Sequence, residues 1–200
     1  MSAGFAALAG AMILKKRNEK AHETPSNIPF VLLGTGMLWF GWFGFNAGSS
    51  LGANGLAVLA FINTNSASAS AMLAWLLFDY AFNRKLSGLN ACIGAVVGLV
   101  AITPCAGFVS IGESILIGVI ASTVSNIAVR LRSKTNIDDT LDVFPCHGIG
   151  GIMGMLATGF FANGEGLTSG HPEVFFLHAG GVLLVGAFVF ILSYLSLIHI

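Results

Sequence analysis

Apolar residues in this chain come in long runs separated by short polar breaks. The runs cover 2–14, 28–49, 55–78, 88–104, 112–129, 142–162 and 174–195. All but the first approach the ~20 residues that an α-helix needs to cross the hydrocarbon core of a bilayer. The first run is short, and its positive cluster follows the apolar stretch instead of preceding it. A signal peptide has the opposite order. The run therefore reads as the second half of a spanning helix. The pattern predicts an all-α polytopic membrane protein embedded in a lipid bilayer.

The polar breaks are of two kinds. Lys15, Lys16, Arg17 and Lys20 lie in the first, Arg84 and Lys85 in the third, and Arg130, Arg132 and Lys134 in the fifth; these account for all 9 Lys and Arg. The second, fourth and sixth breaks hold none. Successive spans reverse direction, so odd breaks share one side, and the positive-inside rule makes that side cytoplasmic. Adding or dropping one span would scramble this segregation. Composition agrees: 55% of residues are hydrophobic and 9% charged, against roughly 25% charged in a soluble domain. Mean hydropathy is +0.84. The formal net charge of zero gives no general attraction to nucleic acid.

Glycine recurs at helical spacing. Gly44 with Gly48, Gly94 with Gly98 and Gly150 with Gly154 each form a G-x-x-x-G pair, which lets helix backbones approach closely in lipid. Cys92, Cys105 and Cys146 have neither C-x-x-C nor zinc spacing and read as small packing residues. No cofactor motif and no metal cluster are expected.

Polar side chains at bilayer depth are costly and point to function. His147 is the sharpest case, flanked by Gly148, Gly150 and Gly151 near the start of an otherwise apolar run. A neutral imidazole offers one donor and one acceptor, which suits a small hydrogen-bonding permeant. A second cluster runs from Gly41 to Ser49 and contains Trp42, Phe45 and Asn46. An aromatic ring and a hydroxyl four residues apart on one helical face can hold a small cation. Asn63, Thr64, Asn65, Ser66, Ser68 and Ser70 read as hydrogen-bonding groups between helices. Asp138, Asp139 and Asp142 precede the His147 run, and acidic groups favour a helix N-terminus; Asp142 is the expected cap. His22, His171 and His178 fall in loops or at a helix edge. A metal-dependent enzyme built on Cys146 and His147 lacks further ligands, because no other span is expected to supply an ionisable group at that depth.

Five stretches carry a resemblance to a known family: Asn27 to Gly36, Gly41 to Ser49, Ala60 to Thr64, Gly98 to Pro104, and Asp138–Asp139 leading into the segment from Asp142 to Gly151. In these the chain resembles the ammonium transporter (Amt/Mep/Rh) family, its bacterial Amt branch in particular. The resemblance implies eleven helices per subunit, a pseudo-twofold relating helices 1–5 to 6–10, a central pore in each subunit, and a homotrimer. Residues 1–195 then hold the end of helix 5 through helix 11, with 196–200 an atypical end. It further implies that Phe45 is the inner of two pore-gating rings and that Ser49 belongs to an outer ammonium site. His147 becomes one of two pore histidines, Val143 lines the pore beside it, and Asp139 organises the cytoplasmic side, with Asp142 left as a structural residue. The second histidine falls just upstream of Met1. The implied function is ammonium transport across the cell (inner) membrane, without enzymatic activity. NH4+ is recruited at the outer mouth, deprotonated and passed as NH3, and a cytoplasmic regulatory protein is an implied partner. The competing reading is an ammonium sensor without useful flux.

Overall fold

A computed structural model describes residues 1–16, 27–83 and 85–199. Arg17, Lys20, His22 and Arg84 lie outside these residues. Among the described residues seven α-helices follow in chain order: α1 (Ser2–Leu14), α2 (Ile28–Ala47), α3 (Gly55–Asn83), α4 (Gly88–Ile102), α5 (Ile111–Arg132), α6 (Gly150–Phe161) and α7 (Pro172–Leu197). A 3₁₀ turn (Gly48–Ser50) prolongs α2, and a π-helical turn (Phe144–Ile149) leads into α6. Among the described residues there is no strand. Five of these helical segments are long and apolar enough to cross a membrane; α1 and α4 are shorter apolar helices. The protein is an all-α, multi-pass membrane bundle.

Local chemistry explains the helix starts. Asn27 accepts a hydrogen bond from the Phe30 N–H at 3.1 Å, and Pro29 sits in the first turn of α2, where its missing N–H costs nothing. Ser110 opens α5 with a capping box: its N–H donates to Glu113 Oε2 at 2.7 Å, and the Glu113 N–H returns to Ser110 Oγ at 3.4 Å. The helix thus begins at Ile111, one residue ahead of the apolar run.

Helices α3, α4 and α5 form the centre, with Trp75, Val97, Ala101, Ile117 and Ala121 buried between them. Glycines set the closeness of this packing. A Cβ on Gly98 would lie 2.5 Å from the Ala67 carbonyl oxygen and 2.7 Å from Ser68 Cα. Gly154 meets the Ala101 carbonyl of α4 in the same way. The Gly44–Gly48 pair differs: nothing lies within 4 Å of either Cβ position. Spacing alone does not supply a partner, and among the described residues that face of α2 has none.

Small hydroxyls join the helices as expected of polar groups in an apolar bundle. Ser68 Oγ donates to the Ala95 carbonyl at 2.9 Å, and Ser122 Oγ to the Ala71 carbonyl at 2.7 Å. Outside this centre, α1 packs on the π-turn and on α7, α6 packs on α7, and α2 lies against α3 and α4.

The ends of α3 and α5 depart from the apolar runs. Helix α3 continues five residues past Phe78, taking in Asp79, and α5 continues through Arg130 and Arg132. Asp79 is 3% exposed. Its Oδ1 accepts from Arg130 Nη2 at 2.8 Å and from Asn126 Nδ2 at 3.3 Å, while Oδ2 accepts from Asn90 Nδ2 at 2.6 Å. The Arg130 guanidinium also lies over the rings of Phe78 and Phe82, 5.1 and 5.4 Å from their centroids. A carboxylate so fully partnered need not end a helix, so α3 runs on beyond the apolar run that predicted it.

Candidate functional site

His147 occupies the π-helical turn that opens the Phe144–Phe161 span. Such turns, with their i→i+5 bonding, are rare and concentrate at functional positions. The turn is built from the sequence around it. Asp139, 5% exposed, accepts a hydrogen bond from the Phe144 N–H at 2.7 Å through Oδ2. The cap is therefore Asp139 and not Asp142. Asp142 instead takes a left-handed backbone conformation, φ 51°. Its Oδ1 accepts from Arg132 Nε at 2.9 Å and Nη2 at 2.5 Å. Burial pushes the Asp142 carboxyl up from its ordinary value, and the Arg132 guanidinium pulls it back.

The far side of the turn is set by α1. Gly4 lies backbone to backbone against Gly148, with no room for a Cβ. Phe5 meets Phe144 edge-to-face at 5.6 Å and packs against Gly186 of α7. His147 itself is half-buried, while Cys146 and Gly148 on either side are buried. Val143 is half-buried and immediately precedes the turn. The histidine thus sits on a segment gripped by α1, α4 and α5, with its own ring less enclosed than its neighbours.

Phe45 and Ser49 lie at the other end of the fold, at the close of α2. The Ser49 hydroxyl donates to the Phe45 carbonyl at 2.6 Å, so the two residues do share one helical turn. The Phe45 ring is 60% exposed, and its centroid is 5.6 Å from Trp42 in a tilted arrangement. Trp42 is fixed by its indole N–H, which donates to Thr103 Oγ1 at 2.8 Å. Asn46 donates to Thr64 Oγ1 at 3.0 Å, and Asn63 Nδ2 donates to the carbonyls of Ala106 and Val109 at 2.9 and 2.7 Å. These bonds tie α2, α3 and the α4–α5 loop together at this end.

The structure does not join the two groups directly. Among the described residues α2 packs on neither the π-turn nor α6, and α4 lies between them, touching both. An apolar cavity of about 190 Å³ near Ile117, Met153, Phe160 and Phe175 includes neither group. Among the described residues no cluster of three or more His, Cys, Asp or Glu could hold a metal ion. His171 bonds to Glu173 at 2.9 Å on the surface, and His178 is half-buried on α7 beside Gly159.

Comparison with known proteins decides what kind of bundle this is. The model of the Ammonium Transporter Family matches residues 1–200. The chain belongs to the ammonium transporter family. It is 42% identical to the ammonium transporter of Bacillus subtilis (strain 168) over 97% of its own length and 50% of that protein's. It superposes on the crystal structure of Candida albicans Mep2 with a TM-score of 0.92 at 34% identity, covering 99% of this chain and 48% of that one. A structure titled "Sensor Amt Protein" matches with a TM-score of 0.87 at 32% identity, covering 96% and 50%. This family member spans about half the length of the curated relatives it matches.

Sequence reasoning missed two features of this ammonium transporter family chain. One is Asp79, which follows Phe78 at the edge of an apolar run and carries no spacing signal. The other is Gly4, whose importance lies in a contact with Gly148 more than a hundred positions away.

Proposed function

We propose that this chain supplies one wall of an ammonium conduit, with NH4+ taken up near Phe45 and Ser49, deprotonated, and passed as NH3 beside His147 and Val143 while its proton is relayed separately through the pore histidines. The observation that carries the reading is a histidine in a π-turn inside an otherwise apolar span, left half-buried while the residues on either side are buried. A cation at the bilayer centre costs about 2.5–3.5 kcal/mol or more, whereas neutral NH3 needs only hydrogen-bonding partners along an apolar path. A neutral imidazole provides both a donor and an acceptor for it. The exposed Phe45 ring beside Trp42 supplies the aromatic surface that attracts a small cation.

In this reading the Lys/Arg-bearing breaks face the cytoplasm across the cell (inner) membrane. Asp139 and Asp142 then organise the cytoplasmic entrance of the His147 helix. The complete protein is a homotrimer, and a regulatory protein docks on its cytoplasmic side. The test is His147→Ala in the full-length protein. Ammonium-driven current falls or its selectivity for ammonium changes, and growth of a transport-deficient cell on low ammonium is impaired. Unchanged current and selectivity would overturn the assignment. Ammonium binding by the unaltered protein without any growth rescue would favour a sensor.

A further inference from the structure

The mechanism sketched above uses His147 but not the two arginines that close α5. We propose that Arg132 and Asp142 are a positioning pair that fixes the π-turn, and with it His147, against the end of α5. The inference rests on the reading of His147 as a wall residue.

Four observations meet here. Asp142 is one of three non-glycine residues among those described with positive φ, a region that Asp and Asn enter more readily than other side chains but still at a cost. Both donors of the Arg132 fork converge on its Oδ1, so the side chain that could relax this backbone is held. The Asp142 backbone is in turn the frame of the turn: its N–H donates to the Asp139 carbonyl at 3.1 Å, and its carbonyl accepts from the Cys146 N–H at 3.0 Å. Cys146 immediately precedes His147. Finally, Arg132 is itself anchored, because Arg130 two residues earlier is locked to the buried Asp79 carboxylate of α3.

Together these fasten the last turn of α5 by two ion pairs, one to α3 and one to the segment that opens the turn. What this guards against is a slip of register. A π-turn accommodates one residue more than an α-turn, and one residue corresponds to a rotation of about 100° around the helix axis. If the turn relaxed to α-helical bonding, the His147 ring would swing to another face. Asp139 caps the Phe144 N–H in either case, so the cap alone does not choose between the two. The Arg132 contact adds to it by holding the residue whose carbonyl accepts from the Cys146 N–H, and so ties the bonding at the start of the turn to a rigid helix.

The experiment uses the full-length protein and two readouts, one of them independent of transport. Cys146 is buried one residue from His147, and Cys92 and Cys105 are buried elsewhere in the bundle. Modification by a membrane-permeant maleimide therefore reports on the turn, with the other two thiols as internal references. Arg132→Gln is expected to speed modification of Cys146 about tenfold while leaving Cys92 and Cys105 unchanged. Arg132→Lys, which keeps the charge, restores slow modification. Asp142→Asn serves as the second variant, removing the charge while keeping an acceptor oxygen, and gives an intermediate rate. In ammonium uptake, Arg132→Gln lowers the maximal rate by about tenfold without changing the half-saturating concentration, because recognition lies at the other end of the fold. Arg132→Lys recovers the rate.

Unchanged Cys146 reactivity in both Arg132→Gln and Asp142→Asn would overturn the pairing. An equal rise at all three cysteines would also overturn it, since that is general loosening of the bundle. Faster Cys146 modification with normal uptake would leave the positioning pair standing and remove the role given to His147.

Discussion

At the scale of single residues, the decisive fact is how completely Asp79 is satisfied. Its two oxygens accept from Arg130, Asn126 and Asn90, which come from two other helices. A buried ion pair adds little net stability, because desolvation offsets the attraction. Removing Asp79, however, takes the acceptor from the buried Asn126 amide as well as from Asn90 and the one-third-exposed Arg130, at a cost of about 1–3 kcal/mol for a stranded buried donor. Asp79→Ala should therefore lower the thermal midpoint of the detergent-solubilised full-length protein by several degrees. Replacing Asp79 and Arg130 together by Leu and Met should cost less than Asp79→Ala alone. Neither partner was legible in the sequence as a pair, since 51 positions separate them. His147, by contrast, stood out on its own chemistry, because an imidazole among glycines in an apolar run has few structural reasons to be there.

At the scale of elements, apolar length places the helices and polar detail sets their ends. Asn27, Ser110 and Asp139 each stop a helix from fraying by accepting a backbone N–H. Arg130 and Arg132 extend α5 because cations in the last turn interact favourably with the exposed carbonyls. The glycine pairs divide according to what faces them. Gly98→Ala would drive a methyl group into the Ala67 carbonyl and Ser68 Cα, both rigid backbone. Overpacking of this kind costs about 1–3 kcal/mol, so Gly98→Ala should show reduced thermal stability and reduced yield of folded protein in the membrane fraction. The same substitution at Gly44 meets no atom within 4 Å and leaves the packing of α3 on α4 untouched. The motif is identical in both cases, and only the neighbouring helix distinguishes them.

At the scale of the whole molecule, much of the apolar surface of α2 and α7 remains uncovered by the chain's own residues. Phe40 is 79% exposed and Leu183 75%. In a chain that spans about half the length of its relatives, such apolar surface is left for lipid or for protein beyond these residues to cover. A charge placed there is expensive, about 2.5–3.5 kcal/mol at the helix centre on insertion scales. Leu183→Lys in the middle of α7 should accordingly lower the fraction of full-length protein recovered from membranes, measured by fractionation and blotting, whereas Leu183→Phe should not. The arrangement of α1 against the π-turn and α7 belongs to this scale too. The short first run joins residues near 147 and 186 through Gly4 and Phe5, a contact that links distant parts of the sequence.

Hydrophobic run length and the confinement of Lys and Arg to alternate polar breaks were enough to point to an all-helical membrane bundle, because the cost of polar groups in hydrocarbon acts on each segment separately. Of the residues of the proposed conduit, His147 stood out by its own chemistry, an imidazole in an apolar run, whereas the pore roles given to Phe45, Ser49 and Val143 came from the family resemblance. Their surroundings were not visible in the sequence. The Asp139 cap, the Arg132–Asp142 contact, the buried Asp79 and the irregular turn beneath His147 all depend on which helices meet, and at what height. Those contacts join residues far apart in the chain, so no local pattern of spacing encodes them, and only the packed fold determines them.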